Sequence, residues 1–323
     1  MIFVSVGTSK YPFVRLVETV DRVAPDLDER VFVQGGATLD AYTPENVEYT
    51  DFVSREEYER LVSEARVFVT HAGTGSIITA LKAGTPPLLV PREGDRGEHT
   101  DDQQLETAAG WAERAGLSVA RSTDELERFL REDSVATPDL SEDSGGARDR
   151  LQDTIAEILA TKADATGGDL TVVCPSPPGG HLTQLLQLSD VLDEYDTRYL
   201  TWDEQITGSV AGAEPVTGYH LEEFPDPDML RDLVVSEFEI ARSLLSDPPD
   251  VVISTGGGSF VISAVYLAKA LGADVIHIES LTRFDSASTT GKILAPIADR
   301  LFVQHPAVRG EYGVRAEYEG TLF

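Results

Sequence analysis

Leu170-Thr171-Val172-Val173-Cys174-Pro175-Ser176-Pro177-Pro178-Gly179-Gly180-His181 sets the architecture of this chain. An apolar run of strand length enters a proline- and glycine-rich turn, and an amphipathic stretch follows from His181. Near the start, Ile2-Phe3-Val4-Ser5-Val6 enters Gly7-Thr8-Ser9 in the same way. A strand, a glycine turn and a helix start make an anion cradle, because the first turn of a helix leaves backbone N–H groups free. The chain therefore begins twice. Two Rossmann-like, doubly wound α/β lobes facing a cleft are expected.

Working outward, strands are expected at 2–6, 31–34, 47–49, 67–70, 87–90 and 117–120. Helices are expected between them at 11–23, 55–64, 75–83, 100–114 and 123–131. Ser54 with Glu57 three residues on has the form of a helix-opening capping box. The second half gives strands at 170–174, 197–201, 250–254, 274–278 and 300–304, and helices at 181–193, 228–246, 259–271 and 288–296. Strands alternating with helices mean parallel sheets covered on both faces. Residues 132–147 read as a loop, and 148–161 as an amphipathic helix with Leu151, Ile155, Ile158 and Leu159 on one face. The expected division is a domain over 1–147, a crossing helix and linker over 148–168, and a domain over 169–323.

Composition limits the function. The 323 residues have room for about two domains, and 41% hydrophobic content is enough to build real cores. The net charge is -30, from 56 Asp+Glu against 26 Lys+Arg. Such a chain repels nucleic acid. Only Lys10, Lys82, Lys162, Lys269 and Lys292 are lysines, and the acidic residues are spread along the whole chain. A dispersed, lysine-poor acidic surface is the pattern of a salt-loaded cytoplasm, where a Debye length of about 3 Å at 1 M screens self-repulsion. The lone Cys174 excludes an internal disulfide framework and a thiolate metal cluster. No stretch approaches a membrane span of about 18 apolar residues, and no signal segment opens the chain. The expected location is cytoplasmic, peripheral on the cytoplasmic membrane face. Leu182, Leu185 and Leu186 either dip into lipid or pack in a core.

Polar residues gather where strands end, which is where open parallel sheets bind ligands. Thr70-His71-Ala72-Gly73-Thr74-Gly75-Ser76 is a strand-to-helix turn suited to a diphosphate, as is Gly7-Thr8. Pro91 to His99, followed by Gln103-Gln104-Leu105-Glu106, offers many hydrogen-bonding groups for a sugar's hydroxyls. Ser254-Thr255-Gly256-Gly257-Gly258-Ser259 is a further glycine turn. It carries Val261 where the dinucleotide fingerprint needs its last glycine, and the 73–78 loop fails likewise at Ile78, so a nicotinamide enzyme is weakly supported. Ile278-Glu279-Ser280-Leu281-Thr282-Arg283 and Thr289-Thr290-Gly291-Lys292 close the set. Asp26-Leu27-Asp28 and Asp226-Pro227-Asp228 are chance carboxylate pairs in so acidic a chain, and no His/Cys cluster has metal-ligand spacing.

On these residues the first half resembles the donor subunit of the two-part transferase that adds the second N-acetylglucosamine to dolichyl-diphosphate-GlcNAc. It also resembles the C-terminal domain of MurG-like family 28 glycosyltransferases. The carrying stretches are Phe3 to Thr8, Asp51 to Ser54, Thr70 to Ser76, Gly84 to Pro86 and Pro91 to Glu106. The second half resembles the acceptor subunit, through Gly179-Gly180-His181, Ser254 to Gly258, Ile278 to Ser280, Thr290 to Lys292 and Val303-Gln304. The family often has Glu where Thr79 stands and His where Gln103 stands.

The resemblance implies a glycosyltransferase B architecture, donor lobe first, and inverting transfer of a sugar, N-acetylglucosamine above others, from a UDP-sugar. The acceptor is a dolichyl- or polyprenyl-phosphate-linked molecule in glycan or N-glycan precursor assembly, and no metal or other cofactor is expected. Donor-binding candidates are Gly7, Thr8, His71, Gly73, Thr74, Gly75, Ser76, Arg92, Glu98, His99, Gln103, Gln104 and Glu106. Acceptor-binding candidates are Gly179, Gly180, Gly256, Gly257, Gly258, Ser280, Arg283, Thr290 and Lys292. His181 is the expected general base, or a cation for the acceptor diphosphate, with Glu279 in reserve. A UDP-sugar 2-epimerase and a non-catalytic UDP-sugar or lipid-carrier binding protein are the alternatives. The sequence leaves the oligomeric state open.

Overall fold

The computed structural model describes residues 1–100, 102–132, 134–137, 147–202, 208, 210–219 and 227–322. The chain divides into two units, Met1–Glu142 and Asp143–Phe323. The first unit runs β1 (Ile2–Ser5), α1 (Val14–Val23), β2 (Val31–Gln34), β3 (Glu48–Thr50), α2 (Arg55–Glu64), β4 (Val67–Thr70) and α3 (Thr74–Ala83). It continues with β5 (Pro87–Leu89), α4 (Gln103–Ala115), β6 (Ser118–Val119) and α5 (Thr123–Glu132). Its strands form one parallel sheet in the order β3-β2-β1-β4-β5-β6.

The order follows from the apolar runs. Every residue of β1 and β4 is buried, as strands covered on both faces require. Ile2 lies between Val31 and Val67 in register. On one face, Ile2 and Val4 pack with Leu16, Val17, Val20 and Val23, the apolar stripe of α1. On the other, Phe3 and Phe68 stack at 5.4 Å over Leu61 and Val62 of α2. The α2 helix opens where its capping pattern places it, with Ser54 Oγ accepting from the Glu57 amide at 3.2 Å.

The second unit begins with α6 (Ala147–Thr166), β7 (Thr171–Pro175), α7 (Gly180–Leu185), α8 (Ser189–Leu192), β8 (Asp196–Thr201), β9 (Ala213–Pro215) and α9 (Pro227–Ser246). It ends with β10 (Val251–Ser254), α10 (Ser259–Ala270), β11 (Asp274–Ile278), α11 (Thr289–Leu294), β12 (Arg300–Phe302), α12 (Arg309–Tyr312) and β13 (Ala316–Glu317). The parallel sheet is ordered β13-β12-β11-β10-β7-β8-β9. Counted from β7, this repeats the order of the first unit and adds one strand. The strand order reverses between β1 and β4 in one unit and between β7 and β10 in the other. A reversal opens a crevice at the carboxyl ends of the two strands, and ligands bind there.

Three features differ from the sequence reading. The α6 helix, expected as a crossing linker, buries Leu151, Ile155 and Leu159 in one core with Leu170, Val172, Ile253 and Ile276. It is an element of the second unit. The continuous helix expected at 181–193 is broken into α7, a tighter turn at Leu186–Leu188, and α8. Leu182, Leu185 and Leu188 recur every three residues, and the tighter turn keeps all three in the core. Leu182 and Leu185 are thus core residues, with Leu186 partly buried against them. The edge strands β9 and β13 have three and two residues and no apolar pattern, and were not anticipated. Most of the 132–147 loop, and Asp101 and Asp226, lie outside the described residues.

Candidate functional site

In the first unit the switch point brings together the turns after β1 and β4. Gly7 has φ +76, a conformation that favours glycine. The His71 ring lies against it: a Cβ on Gly7 would fall 2.3 Å from Nε2, and one on Gly73 would fall 2.0 Å from Cε1. The two glycines thus hold an imidazole between them. Burial, then the neighbouring Arg92 and His99, push this imidazole down to about 3, so it is neutral at pH 7. The α3 helix starts from Gly73 without a side-chain cap, so its first amides point into the same region. Ser76 Oγ meets the Tyr58 hydroxyl at 3.0 Å, and Thr79 spends its hydroxyl on the Gly75 carbonyl at 2.9 Å.

Several expected donor contacts turn out to hold loops. Arg92 is fully buried and donates to the carbonyls of Val6, Tyr11 and Glu98 at 2.7–2.8 Å while its guanidinium covers the Phe13 ring. Burial lowers its pKa to about 10, with the Glu98 charge opposing. Glu98 is itself clasped by Arg15 through two hydrogen bonds and accepts from the Glu93 amide. Gln104 Oε1 accepts from the amides of Ala72 and Arg92, both at 3.2 Å, joining the turn after β4 to the turn after β5. These three residues fix the shape of the crevice wall. Thr8 and Glu106 are exposed, and His99 and Gln103 are partly exposed.

In the second unit, His181 Nδ1 lies 2.8 Å from the Thr255 carbonyl. A carbonyl only accepts, so Nδ1 carries the proton and neutral His181 presents Nε2 as a lone pair. Thr255 returns the contact, its hydroxyl donating to the His181 carbonyl at 2.9 Å. Burial lowers the His181 pKa, the Thr255 carbonyl and the Glu279 charge oppose this, and Arg283 adds to it. The ring rests on Gly256, where a Cβ would come 3.1 Å from Cε1. Both units therefore place an imidazole on a glycine at the strand-order reversal. The second unit takes its imidazole from the turn after its first strand, whereas the first unit takes it from the turn after its fourth.

Gly256, Gly257 and Gly258 have φ of +94, +130 and +75. A Cβ on Gly257 would fall 2.3 Å from Pro177 Cδ. Gly257→Ala combines a backbone region reserved for glycine with that clash, and is expected to cost about 3 kcal/mol. Thermal unfolding in molar KCl checks this, and an unshifted Tm would count against the close approach of the two turns.

Thr290 Oγ1 accepts from the Gly258 amide at 3.2 Å, so the start of α11 joins the same cluster. Lys292 points elsewhere: it is half exposed and pairs with Glu311 at 3.4 Å. Glu279 is 1% exposed, and its oxygens accept from the Ser280 amide at 2.8 Å, the Ser288 amide at 2.9 Å and the Tyr312 hydroxyl. Burial raises its pKa, but His277, Tyr312 and the two amides outweigh this and hold it below the usual carboxylate range. Ser280 Oγ bonds Thr282 Oγ1 at 3.0 Å, and Gln184 ties Leu281 and Gln304 to α7. Tyr312 and Gln184 were missed from sequence, because neither stands in a glycine turn or at a strand end. Asp26, half of one carboxylate pair, is bonded to Arg131 at 2.7 Å.

His277 is fully buried on β11. Its Nδ1 meets Ser254 Oγ at 2.8 Å, and its Nε2 has no partner among the described residues. Burial pushes it down to about 4 from an ordinary value of 6.5. In that window the unfolded chain binds a proton that the folded chain refuses, so stability is lost as pH falls from 6.5 to about 4. His71 extends the window to about 3. His277→Gln should flatten Tm against pH across this range in molar KCl, and an unchanged slope would assign the acid sensitivity to other groups.

Comparison with known proteins matches the two ends of the chain to different families. Residues 229–322 match the family model "Oligosaccharide biosynthesis protein Alg14 like", and residues 1–159 match the "Glycosyltransferase family 28 C-terminal domain". The UDP-N-acetylglucosamine transferase subunit alg14 of Schizosaccharomyces pombe is 33% identical over 167 residues, covering 45% of this chain and 79% of that protein. The human subunit ALG14 is 28% identical over 171 residues, covering 44% and 79%. Among solved structures, Acinetobacter baumannii MurG matches 43% of this chain and 42% of its own at 14% identity, with a TM-score of 0.35. The chain belongs to the Alg14 family, and its first half is a family 28 glycosyltransferase domain fused ahead of that region. No helix among the described residues is long and apolar enough to cross a membrane.

Proposed function

We propose that this chain transfers N-acetylglucosamine from UDP-N-acetylglucosamine to a dolichyl- or polyprenyl-phosphate-linked acceptor, with inversion, uniting in one polypeptide what its relatives carry as a subunit. The observation that carries the reading is the fusion itself: a family 28 domain and an Alg14-like region in one chain, each with an imidazole and glycines at its strand-order reversal. The first unit takes the donor, with the diphosphate on the amides of Thr74 to Ser76. The second unit takes the acceptor beside His181.

In the reaction the acceptor hydroxyl passes its proton to His181 Nε2 as its oxygen bonds the anomeric carbon. The bond from that carbon to the diphosphate breaks, and its electron pair leaves with UDP. Oriented backbone dipoles at the α3 start stabilise the charge on the leaving group, which needs no metal. A membrane-bound acceptor places the protein peripherally on the cytoplasmic membrane face, and the acidic surface fits it to a salt-rich cytoplasm. UDP release in molar KCl tests the reading, with a panel of UDP-sugars, lipid-linked acceptors and an arm containing EDTA. Turnover that needs both substrates and survives EDTA is expected. Conversion of a UDP-sugar without acceptor would make the chain an epimerase, and UDP binding without any turnover would make it a carrier.

A further inference from the structure

We propose that Tyr312 is a positioning residue, which holds Glu279 as a fixed anion and so helps His181 accept its proton. The inference rests on the transferase reading above. Both oxygens of Glu279 are occupied by donors from three places: the Ser280 amide beside it, the Ser288 amide before α11, and the Tyr312 hydroxyl on α12. A carboxylate that already accepts three hydrogen bonds, with 1% of its residue surface exposed, is poorly placed to take a proton from an acceptor hydroxyl. Its work is electrostatic.

Gly291 is an independent sign that the pair is built in. A Cβ there would fall 2.0 Å from the Tyr312 hydroxyl oxygen and 2.6 Å from Glu279 Oε2. The backbone of α11 is closed onto the contact, and a side chain at this position would prise it open. Lys292, one residue on, pairs with Glu311 next to Tyr312, so α11 and α12 are joined twice. The charged and titratable groups acting with Glu279 are His277 on β11, Tyr312 on α12 and His181 on α7, while Arg283 in the loop after β11 acts on His181 and Tyr312.

Glu279 makes no hydrogen bond to His181, whose Nδ1 is committed to Thr255. Gln184, three residues after His181 on α7, accepts from the Leu281 amide at 2.8 Å, so the strand end that carries Glu279 is tied to the helix that carries His181. Glu279 acts through space, favouring the imidazolium that forms when the acceptor hydroxyl gives up its proton, while Arg283 opposes it. Tyr312 supplies a donor without adding a second charge. Losing that donor lets Glu279 take a proton more easily, and the His181 imidazole then loses part of its stabilising charge.

The test follows the His181 C2–H proton by NMR titration in molar KCl, assigned with H181Q, in the wild-type chain, Y312F and E279Q. Steady-state kinetics run in parallel. His181 should titrate at progressively lower pH in that order. Y312F should lower kcat a fewfold, roughly two- to tenfold, and E279Q by more, with both KM values little changed, because only the part of the hydrogen bond that changes the charge felt by His181 reaches the transition state. A common titration point in all three proteins would overturn the proposal, as would loss of fold in both variants, since the pair would then be a structural clasp. A wild-type chain that turns over no substrate pair would sink the transferase reading alone, because the titration order still decides the role of Tyr312.

Discussion

His181→Ala should lower kcat by about 10²–10⁴, the usual worth of a positioned general base. The Thr255 carbonyl fixes the proton on Nδ1, so Nε2 is the free base in the neutral ring. Burial keeps that ring neutral below its ordinary pKa, which suits a base at pH 7 and disfavours a standing cation for the acceptor diphosphate. The two roles separate experimentally. A base gives a fall in kcat with donor KM unchanged, and an acid limb lying below pH 6.5. A diphosphate ligand gives a rise in acceptor KM with kcat retained. Near wild-type turnover at saturating acceptor would remove His181 from the chemistry. Thr255→Val should reproduce a smaller share of the loss, since the carbonyl stays while its hydroxyl bond to the His181 carbonyl goes.

Dialysis from molar KCl to about 50 mM salt should unfold the protein, because the Debye length grows from about 3 Å past about 10 Å. Two exposed carboxylates 8 Å apart repel by about 0.5 kcal/mol in water. At 1 M salt, screening removes nearly all of that. The 26 Lys+Arg cannot neutralise 56 Asp+Glu. Many are already engaged: Arg60 lies between Glu57 and Glu64, and Arg30 is held by Glu48. The unpaired carboxylates sum over many neighbours, against a total stability of about 5–15 kcal/mol. Far-UV circular dichroism across a salt series measures the transition. A native spectrum at about 50 mM would show that the acidity serves another purpose.

The central strands could be read because their burial is written locally. Ile2 to Ser5, Val67 to Thr70 and Val251 to Ser254 are short apolar runs, and each ends in a glycine turn. His181 could be placed at the turn after β7 for the same reason. The misjudged or missed features depend on distant partners. Nothing around Arg92 announces that Val6 and Tyr11 will claim its guanidinium, so an arginine at a strand end looked like a ligand contact. Glu279 looked like a spare base until Ser288 and Tyr312 arrived from later in the chain. The amphipathic stripe of α6 was legible, but the core that receives it was not. The edge strands β9 and β13 take their conformation from a neighbouring strand rather than from their own residues.

The placement of α6 also bears on how the chain is made. Among the described residues each core draws on its own unit, so the first can complete itself while the ribosome is still adding the second. The α6 helix emerges next, and its partners on β7, β10 and β11 have yet to be synthesised. During that interval Leu151, Ile155 and Leu159 face water without cover. The nascent chain is therefore most exposed to aggregation and to chaperones as α6 leaves the tunnel, and a translational pause there would lengthen the hazard rather than relieve it.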